Sequence, residues 1–366
     1  MTEPPATRAC EACLRRTWLV SALADHLARA SPTAAALDAA LGLPDQELIE
    51  GLVPTGGPRE RLRCAQEGPN LLRAARAAGL DPLCRHDQDY PRRLRDLAGP
   101  PAVLFLTDAA RAATLLEEPG VAVVGARRAS AYGLEVARAL GRGLSAAGVT
   151  VISGMAFGVD SAAHAGALER GARTLAVLAG GADVAYPATK RQLHARLRAE
   201  AVVASDMPPG FRARRWCFPA RNRIIAALSD LVVVVEAGER SGALITAQVA
   251  RELGREVGAV PGRVTAGLAT GPNALIRDGA HTILGAQDAL DVACGAGVRQ
   301  APGPRDESEL EPRLRTVLDA VRAGRDTAAV LARTRAEARA ALAALAELEL
   351  RGYLTRAPGG RYEVRA

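Results

Sequence analysis

Between residues 121 and 260 the sequence alternates short apolar runs with longer stretches of helical periodicity. The apolar runs are VAVV (121–124), VTVI (149–152), TLAVL (174–178), AVVAS (201–205), LVVVV (231–235) and EVGAV (256–260). The helical patterns between them lie at about 131–147, 160–170, 189–199, 220–229 and 241–254. Strands that are apolar throughout and separated by helices are typical of a parallel sheet covered on both faces. The pattern therefore predicts an α/β core with a doubly wound, Rossmann-like parallel sheet.

The segments on either side of this core have different patterns. From residue 14 to about 95, apolar residues recur at helical spacing, which predicts an α-helical N-terminal domain. Residues 294–309 combine Gly, Pro and charge without periodicity, as linkers do. The C-terminal pattern predicts a winged-helix domain, with helices at 311–323, 327–332 and 335–350 and a hairpin that turns at Pro358-Gly359-Gly360. The predicted boundaries are 1–100 for the helical region, 101–292 for the core, 293–309 for the linker and 310–366 for the winged-helix domain.

Composition and charge exclude several classes of protein. Hydrophobic residues make up 49% of the chain and charged residues 24%, as in soluble globular proteins. No apolar run reaches the ~18 residues of a membrane helix, and the start MTEPPATRAC lacks the basic and apolar regions of a secretory signal. We therefore expect a cytoplasmic protein without a membrane partner. The formal net charge of +7 favours an anionic partner.

The loops that follow the predicted strands are the candidate binding site, because ligands of open α/β sheets bind at the carboxyl ends of the strands. The loop after the first strand of the core offers Arg127 and Arg128 at a helix N-terminus, which favours anions. The loop after the second strand contains Gly154 and Gly158, where backbone amides can approach a ligand. Its Asp160 and the following His164 fall on one helical face, a spacing that suits either acid–base chemistry or simple helix capping.

The segment DMPPGFRARRWCFPARNR (206–223) is the strongest indication of a nucleic-acid ligand. It interleaves five arginines with the aromatic residues Phe211, Trp216 and Phe218. Arginines neutralise phosphates, and exposed rings stack on unpaired bases. Six of the eleven aromatic residues of the chain lie in loops after strands: Tyr132, Phe157, Tyr186, Phe211, Trp216 and Phe218. The alternative interpretation is that these rings wedge the loops onto the sheet.

The six cysteines of this chain do not form the framework of a small disulfide-rich protein, which favours a reducing compartment. Cys10 and Cys13 form a CxxC pair, to which Cys64 and Cys84 could add two further thiolates around zinc. Their spacing fits no compact zinc module, and an N-terminal helix with two incidental cysteines is the alternative. We therefore predict no metal and no cofactor, with these four cysteines as the only candidate ligands.

Six motifs occur in order along the core. They are VGAR (124–127), SGMAFGVDSAAH (153–164), GGADVAYP (180–187), FPARNRIIAALS (218–229), VVEAGERSGALITA (234–247) and VPG with GPNALI (260–276). Together they resemble the DNA-processing protein A family (DprA, also called Smf). The resemblance implies a single-stranded-DNA-binding protein that protects incoming DNA during natural transformation and loads the RecA recombinase on it. It also implies DNA contacts through Arg127 and through a basic residue near the Tyr186-Pro187 turn, here Lys190.

The predicted DNA-binding set combines the loop residues with those of the resemblance. It consists of Arg127, Arg128, Gly154, Phe157, Gly158, Tyr186, Lys190, Arg191, Arg215, Trp216, Arg221, Asn222, Arg223, Ser241, Gly242 and Asn273. We expect a homodimer without catalytic residues, with single-stranded DNA and RecA as partners.

Two other classes of protein are the alternatives. A nucleotide phosphoribohydrolase on a related core would carry PGGxGTxxE, where this chain has AGERSGALITAQ without the closing glutamate. A winged-helix transcription regulator would read duplex DNA through arginines such as Arg335 and Arg339, although the charge of the C-terminal region is nearly balanced.

Overall fold

The computed structural model describes residues 8–30, 34–64, 68–301, 310–324, 335–350, 353–356 and 361–364. The chain divides into two compact units, Met1–Ala301 and Pro302–Ala366. Among the residues described, no helix is long and apolar enough to cross a membrane.

In the described residues up to Ala77, the N-terminal part of the first unit contains six helices. They are α1 (Glu11–Ala22), α2 (Ala24–Ala30), α3 (Ala34–Gly42), α4 (Asp45–Leu52), α5 (Gly57–Cys64) and α6 (Gly68–Ala77). Leu19 of α1, Leu23 between the two helices and Leu27 of α2 recur every four residues, and all three are buried because this spacing places them on one face. The prediction of helices up to residue 95 is wrong at its end, where Asp81–Cys84 forms a strand.

The centre of the first unit is a nine-stranded sheet. Its strands are β1 (Asp81–Cys84), β2 (Val103–Leu106), β3 (Gly120–Val124), β4 (Thr150–Ser153), β5 (Thr174–Val177), β6 (Val202–Ser205), β7 (Leu231–Val234), β8 (Glu256–Ala259) and β9 (His281–Thr282). Their order is β1-β2-β6-β5-β4-β3-β7-β8-β9, and every pair from β6 to β9 is parallel. The antiparallel strands β1 and β2, which extend one edge, were not predicted.

Helices cover both faces of this sheet. They are α7 (Ala109–Glu117), α8 (Ala131–Ala146), α9 (Val159–Glu169), α10 (Arg191–Glu200), α11 (Cys217–Leu228), α12 (Gly242–Glu252), α13 (Thr270–Arg277) and α14 (Ala286–Cys294). Val121 and Val123 of β3 pack in the same core cluster as residues of α8 and α9, whereas Ala122 and Val124 pack with α11 and α12. This alternation is the two-residue period of a strand buried on both faces, and it confirms the predicted Rossmann-like class.

The strand order reverses between β3 and β7. From β3 the chain moves outward through β4, β5 and β6, and then crosses to the other side of β3 to form β7, β8 and β9. The loops after β3 and β7 therefore diverge at the carboxyl edge of the sheet, and the crevice between them is where doubly wound folds bind ligands.

The second unit has its own small core. It contains α15 (Pro312–Arg322), α16 (Arg335–Leu350) and the antiparallel strands β10 (Leu354–Arg356) and β11 (Tyr362–Val364). Leu314, Leu318, Leu345 and Leu348 are buried between these elements. The predicted helix at 327–332, the hairpin turn at 358–360 and the linker residues 302–309 lie outside the described residues.

Candidate functional site

A small cleft of about 70 Å³ opens at the carboxyl edge of the sheet. The loops after β3, β4 and β5 form its walls together with the first turns of α11. The side chains that line it include Arg127, Phe157, Tyr186, Phe218 and Arg221. Three separate predicted loops therefore meet at one place, as the carboxyl-edge argument requires.

Two cations lie against aromatic rings at this cleft. The guanidinium carbon of Arg127 lies 4.7 Å from the centroid of the Phe218 ring, and Nζ of Lys190 lies 5.9 Å from that of Phe157. The rings of Tyr186 and Phe218 are 5.6 Å apart and tilted by 48°. We call the cleft that these five residues surround the aromatic cleft. Phe157 and Tyr186 are 42% and 46% exposed, so ring faces remain available for stacking.

Arg221 forms the buried floor of the aromatic cleft. Its Nη1 donates a 2.6 Å hydrogen bond to the carbonyl of Val177 at the end of β5. Burial lowers the pKa of Arg221, and the neighbouring Asp160 carboxylate opposes that shift. A Cβ on Gly154 would lie 1.7 Å from Nη1, so only glycine leaves room for this side chain. Gly154 and Arg221, which were predicted separately as DNA-binding residues, therefore lie side by side, and the glycine makes space for the cation.

Asp160 and His164 make structural contacts. The Asp160 carboxylate accepts hydrogen bonds from the backbone N–H groups of Gly154 (3.2 Å) and Ala156 (3.4 Å), so it braces the loop after β4. His164 is fully buried, and its Nδ1 lies 2.7 Å from Oγ1 of Thr174. Because that hydroxyl donates to the Val151 carbonyl, Nδ1–H donates to the hydroxyl oxygen. Burial lowers the pKa of His164 to about 3, which keeps the ring neutral.

Glu236 ties the loop after β7 to the loop that carries Arg127. Its carboxylate accepts hydrogen bonds from the N–H (2.8 Å) and the hydroxyl (2.6 Å) of Ser130, the N-cap of α8. The backbone N–H of Ala126 donates to the Glu236 carbonyl at 2.6 Å. Gly158 closes the other side: its φ is +74°, and a Cβ there would lie 2.2 Å from the Ala126 carbonyl oxygen. Arg127 therefore projects from a turn that is held at both ends.

Two predicted DNA contacts lie in the interior. Trp216 is 4% exposed and packs in a core cluster with Leu19 and Leu23 of the N-terminal helices. Arg223 is buried in an ion pair with Asp38 of α3 at 2.8 Å and also donates to the Gly99 carbonyl. The structure thus places neither side chain at the aromatic cleft, because the N-terminal helices cover the side of α11 on which both lie. For Trp216 the alternative interpretation, a ring that anchors its loop, describes the observed packing.

The remaining predicted residues divide into exposed cations and loop supports. Arg128, Arg191 and Arg215 are exposed. The others hold loops together. The Asn222 amide donates to the Gly242 carbonyl (3.2 Å), and the Ser241 hydroxyl accepts from the Ala243 N–H (3.3 Å). The Asn273 side-chain amide donates to the Gly262 carbonyl and accepts from the Gly262 N–H.

Phe218 was absent from the predicted binding set, although its place three residues before Arg221 on α11 could have revealed it.

One group of side chains has the composition of a metal centre. Cys10, Cys13, Cys84 and His86 bring their ligand atoms within 4.8 Å of one another. The predicted set included Cys64, whose side chain is outside the described part of the structure, and it did not include His86.

The fold and the cleft together define a class of protein. It is a Rossmann-like α/β protein with a cationic, aromatic-lined cleft at the carboxyl edge of its parallel sheet, and it has a separate C-terminal unit. The family model described as DNA recombination-mediator protein A matches residues 81–293, and that of the DprA winged helix domain matches residues 299–360. The chain belongs to the DprA/Smf family of DNA processing proteins.

Sequence and structure relatives agree with this membership. The DNA processing protein DprA of Bacillus subtilis is 39% identical over 224 residues, which are 61% of this chain and 74% of that protein. The X-ray structure of DprA from Streptococcus pneumoniae superposes with a TM-score of 0.60 at 32% identity, over 74% of this chain and 96% of that one. A DprA structure from Helicobacter pylori, described for its single-stranded DNA binding mode, superposes with a TM-score of 0.51 at 28% identity. The superposition covers 55% of this chain and 91% of that one.

Proposed function

We propose that this protein binds single-stranded DNA in the aromatic cleft as part of DNA processing. The observation that carries the proposal is the pairing of cations with aromatic rings at the cleft: Arg127 lies over the half-buried Phe218, and Lys190 lies near the exposed Phe157. Each cation can pair with a backbone phosphate while the neighbouring ring offers a face to a base. The H. pylori relative, whose structure concerns single-stranded DNA binding, supports the same ligand class.

The geometry favours single strands over duplex. The faces of bases in a duplex are already stacked, so rings such as Phe157 and Tyr186 have no base face to contact there. In a single strand, every base can leave its neighbour and stack on a protein ring at a gain of about 1–3 kcal/mol.

Finer roles extend this proposal. We propose that the bound strand is incoming DNA in natural transformation, that the protein loads RecA on it, and that the protein acts in the cytoplasm as a homodimer. Family membership supports these roles. The rate of RecA binding to single-stranded DNA, measured with and without this protein, tests the loading role. Light scattering of the purified chain measures its mass in solution and tests the homodimer.

We also propose that the protein is a binder and not an enzyme. The side chains that nucleotide hydrolysis would recruit are engaged in structural bonds: Asp160 holds the Gly154 backbone, His164 pairs with Thr174, and Glu236 holds Ser130. A general base must reach the proton that it abstracts, and a neutral, fully buried imidazole cannot reach a bound nucleotide.

Binding of labelled single-stranded and duplex oligonucleotides of equal length, at two salt concentrations, tests the proposed function. We expect tighter binding of the single strand, and a log–log salt slope near −0.7 for each phosphate neutralised. Preference for duplex, or a flat salt response, would contradict the proposal. Hydrolysis of nucleoside monophosphates that is lost in His164→Ala would instead identify an enzyme.

A further inference from the structure

Two distant segments of the chain meet at one cluster of sulfur and nitrogen ligands. Cys10 and Cys13 lie at the start of α1, whereas Cys84 ends β1 and His86 follows it in the next turn. All four ligand atoms lie within 4.8 Å of one another. The Sγ atoms of Cys10 and Cys13 are each 3.4 Å from Nδ1 of His86. From this arrangement we propose that Cys10, Cys13, Cys84 and His86 bind one structural Zn²⁺ ion.

The two sulfur–nitrogen distances to His86 are close to those between the ligands of a tetrahedral zinc ion. With Zn–S near 2.3 Å and Zn–N near 2.0–2.1 Å, tetrahedral angles put sulfur and nitrogen roughly 3.6 Å apart and two sulfurs roughly 3.8 Å apart. The two sulfur–nitrogen distances in the structure, 3.4 Å each, are close to the first value. Hydrogen bonding accounts less well for the geometry, because a single ring nitrogen pairs well with one thiol, not with two at the same distance.

The donor set selects the metal. Three thiolates and one imidazole form one of the standard sets for structural zinc, whereas calcium and magnesium require oxygen ligands. Four protein ligands leave no coordination position for a substrate, so the site is closed and its role is structural. On binding, each of the three thiols gives its proton to solvent and forms a Zn–S bond, while neutral His86 binds through Nδ1 and releases no proton.

The ion would fasten the N-terminal helices to the edge of the sheet. The backbone N–H of Cys84 already donates to the Arg8 carbonyl at 2.9 Å, so the two segments run side by side. Cys13 and Cys84 are buried in a core cluster that includes Phe105 of β2. Cys10 is exposed, so an ion can enter from solvent.

The same helix layer supports the aromatic cleft. Further along α1, Leu19 packs in the cluster that holds Trp216 and Cys217 at the start of α11. Since α11 carries Phe218 and Arg221, fixing the start of α1 helps to hold their helix in place. The zinc ligands are therefore positioning residues for the cleft, at a distance from the DNA.

Metal content of the full-length chain tests the proposal. The protein is purified without an affinity tag or chelator, under reducing conditions, and its zinc is measured by inductively coupled plasma mass spectrometry. We expect one Zn²⁺ per chain. Cys10→Ser and His86→Ala, both at exposed positions, should lose most of it, and His86→Cys should retain it as a four-thiolate site. Cys294→Ser is the matched control with unchanged zinc, because this cysteine lies on α14 outside the cluster.

A spectroscopic measurement gives a readout independent of folding yield. Replacement of zinc by Co²⁺ should give the visible d–d absorption of a tetrahedral site and sulfur-to-cobalt charge transfer, both lost in Cys10→Ser. Zinc well below one per chain, both as purified and after reconstitution, would overturn the proposal, as would a Cys10–Cys13 disulfide in metal-free protein from reducing cells. Arg127→Ala should leave zinc unchanged, so a failure of the DNA proposal is distinguishable from a failure of this one.

Discussion

Replacement of Arg127 by alanine should weaken binding of single-stranded DNA about tenfold. The side chain is exposed at the cleft, where Phe218 lies 4.7 Å from its guanidinium carbon, so its charge is available to a phosphate. A hydrogen bond to a charged group contributes about 1.5–3 kcal/mol, and solvent screening at an exposed site favours the lower end of that range. A loss of about 1.5 kcal/mol corresponds to roughly a tenfold rise in Kd.

The lysine variant separates charge from ring stacking. Arg127→Lys keeps the charge but loses the planar group that lies over Phe218, a contact worth about 0.5–1 kcal/mol at an exposed site. We therefore expect a loss of about two- to fivefold, smaller than that of Arg127→Ala.

Fluorescence anisotropy with a labelled single strand, repeated over a series of salt concentrations, measures both effects. The log–log slope of Arg127→Ala should be shallower by about 0.7, because one phosphate contact is lost. Arg251→Ala is the matched control: Arg251 is exposed near the end of α12, nine residues or roughly 13 Å along the helix from Gly242. An Arg127→Ala protein with wild-type affinity and an unchanged slope would refute the placement of phosphate at this side chain.

Two further substitutions address stacking and stability. Phe157→Ala should weaken binding by about 1–3 kcal/mol without changing the salt slope, because it removes a ring face and no charge. Leu43→Ala is its control, because Leu43 is an exposed apolar residue between α3 and α4 that does not line the cleft. A wild-type Kd of Phe157→Ala in the same anisotropy assay, or a loss no larger than in the control, would count against stacking there. His164 has its pKa lowered by burial from 6.5 to about 3, so below pH 6.5 the unfolded chain binds a proton that the folded chain does not. The free energy of unfolding should therefore decrease as the pH is lowered below 6.5, and His164 should contribute about 1.36 kcal/mol per pH unit to this decrease. In urea titrations from pH 7 to 5, His164→Gln should show a shallower dependence, part of which remains because the pKa of buried His194 is lowered as well; equal slopes for the two proteins would contradict this assignment.

The parallel strands and their helices could be predicted from local pattern alone. The predicted run at 231–235 and the observed β7, Leu231–Val234, agree within one residue, and the other five runs agree equally closely. These strands are buried on both faces, so each must be apolar throughout. A run of consecutive apolar residues is therefore visible in the sequence itself. The loops that build the cleft followed from the same pattern, because parallel strands carry their carboxyl ends to one edge.

Edge strands were harder to predict, since pairing rather than burial defines them. β1 contains Pro82 and only four residues, a segment without an apolar period. It becomes a strand through its antiparallel register with β2, in which Pro82 faces Phe105. Phe105 lies 23 residues after Pro82 in the sequence, beyond the reach of any local pattern.

The division of roles within residues 206–223 shows most clearly what tertiary structure decided. The interleaved arginines and rings of this segment predicted a nucleic-acid surface, and Phe218 and Arg221 do line the cleft. Trp216 and Arg223 belong to the same pattern but lie against the N-terminal helices, where Arg223 pairs with Asp38. A helix presents its side chains in all directions, and only the packing of a segment more than 150 residues away in the sequence determines which of them remain at the surface.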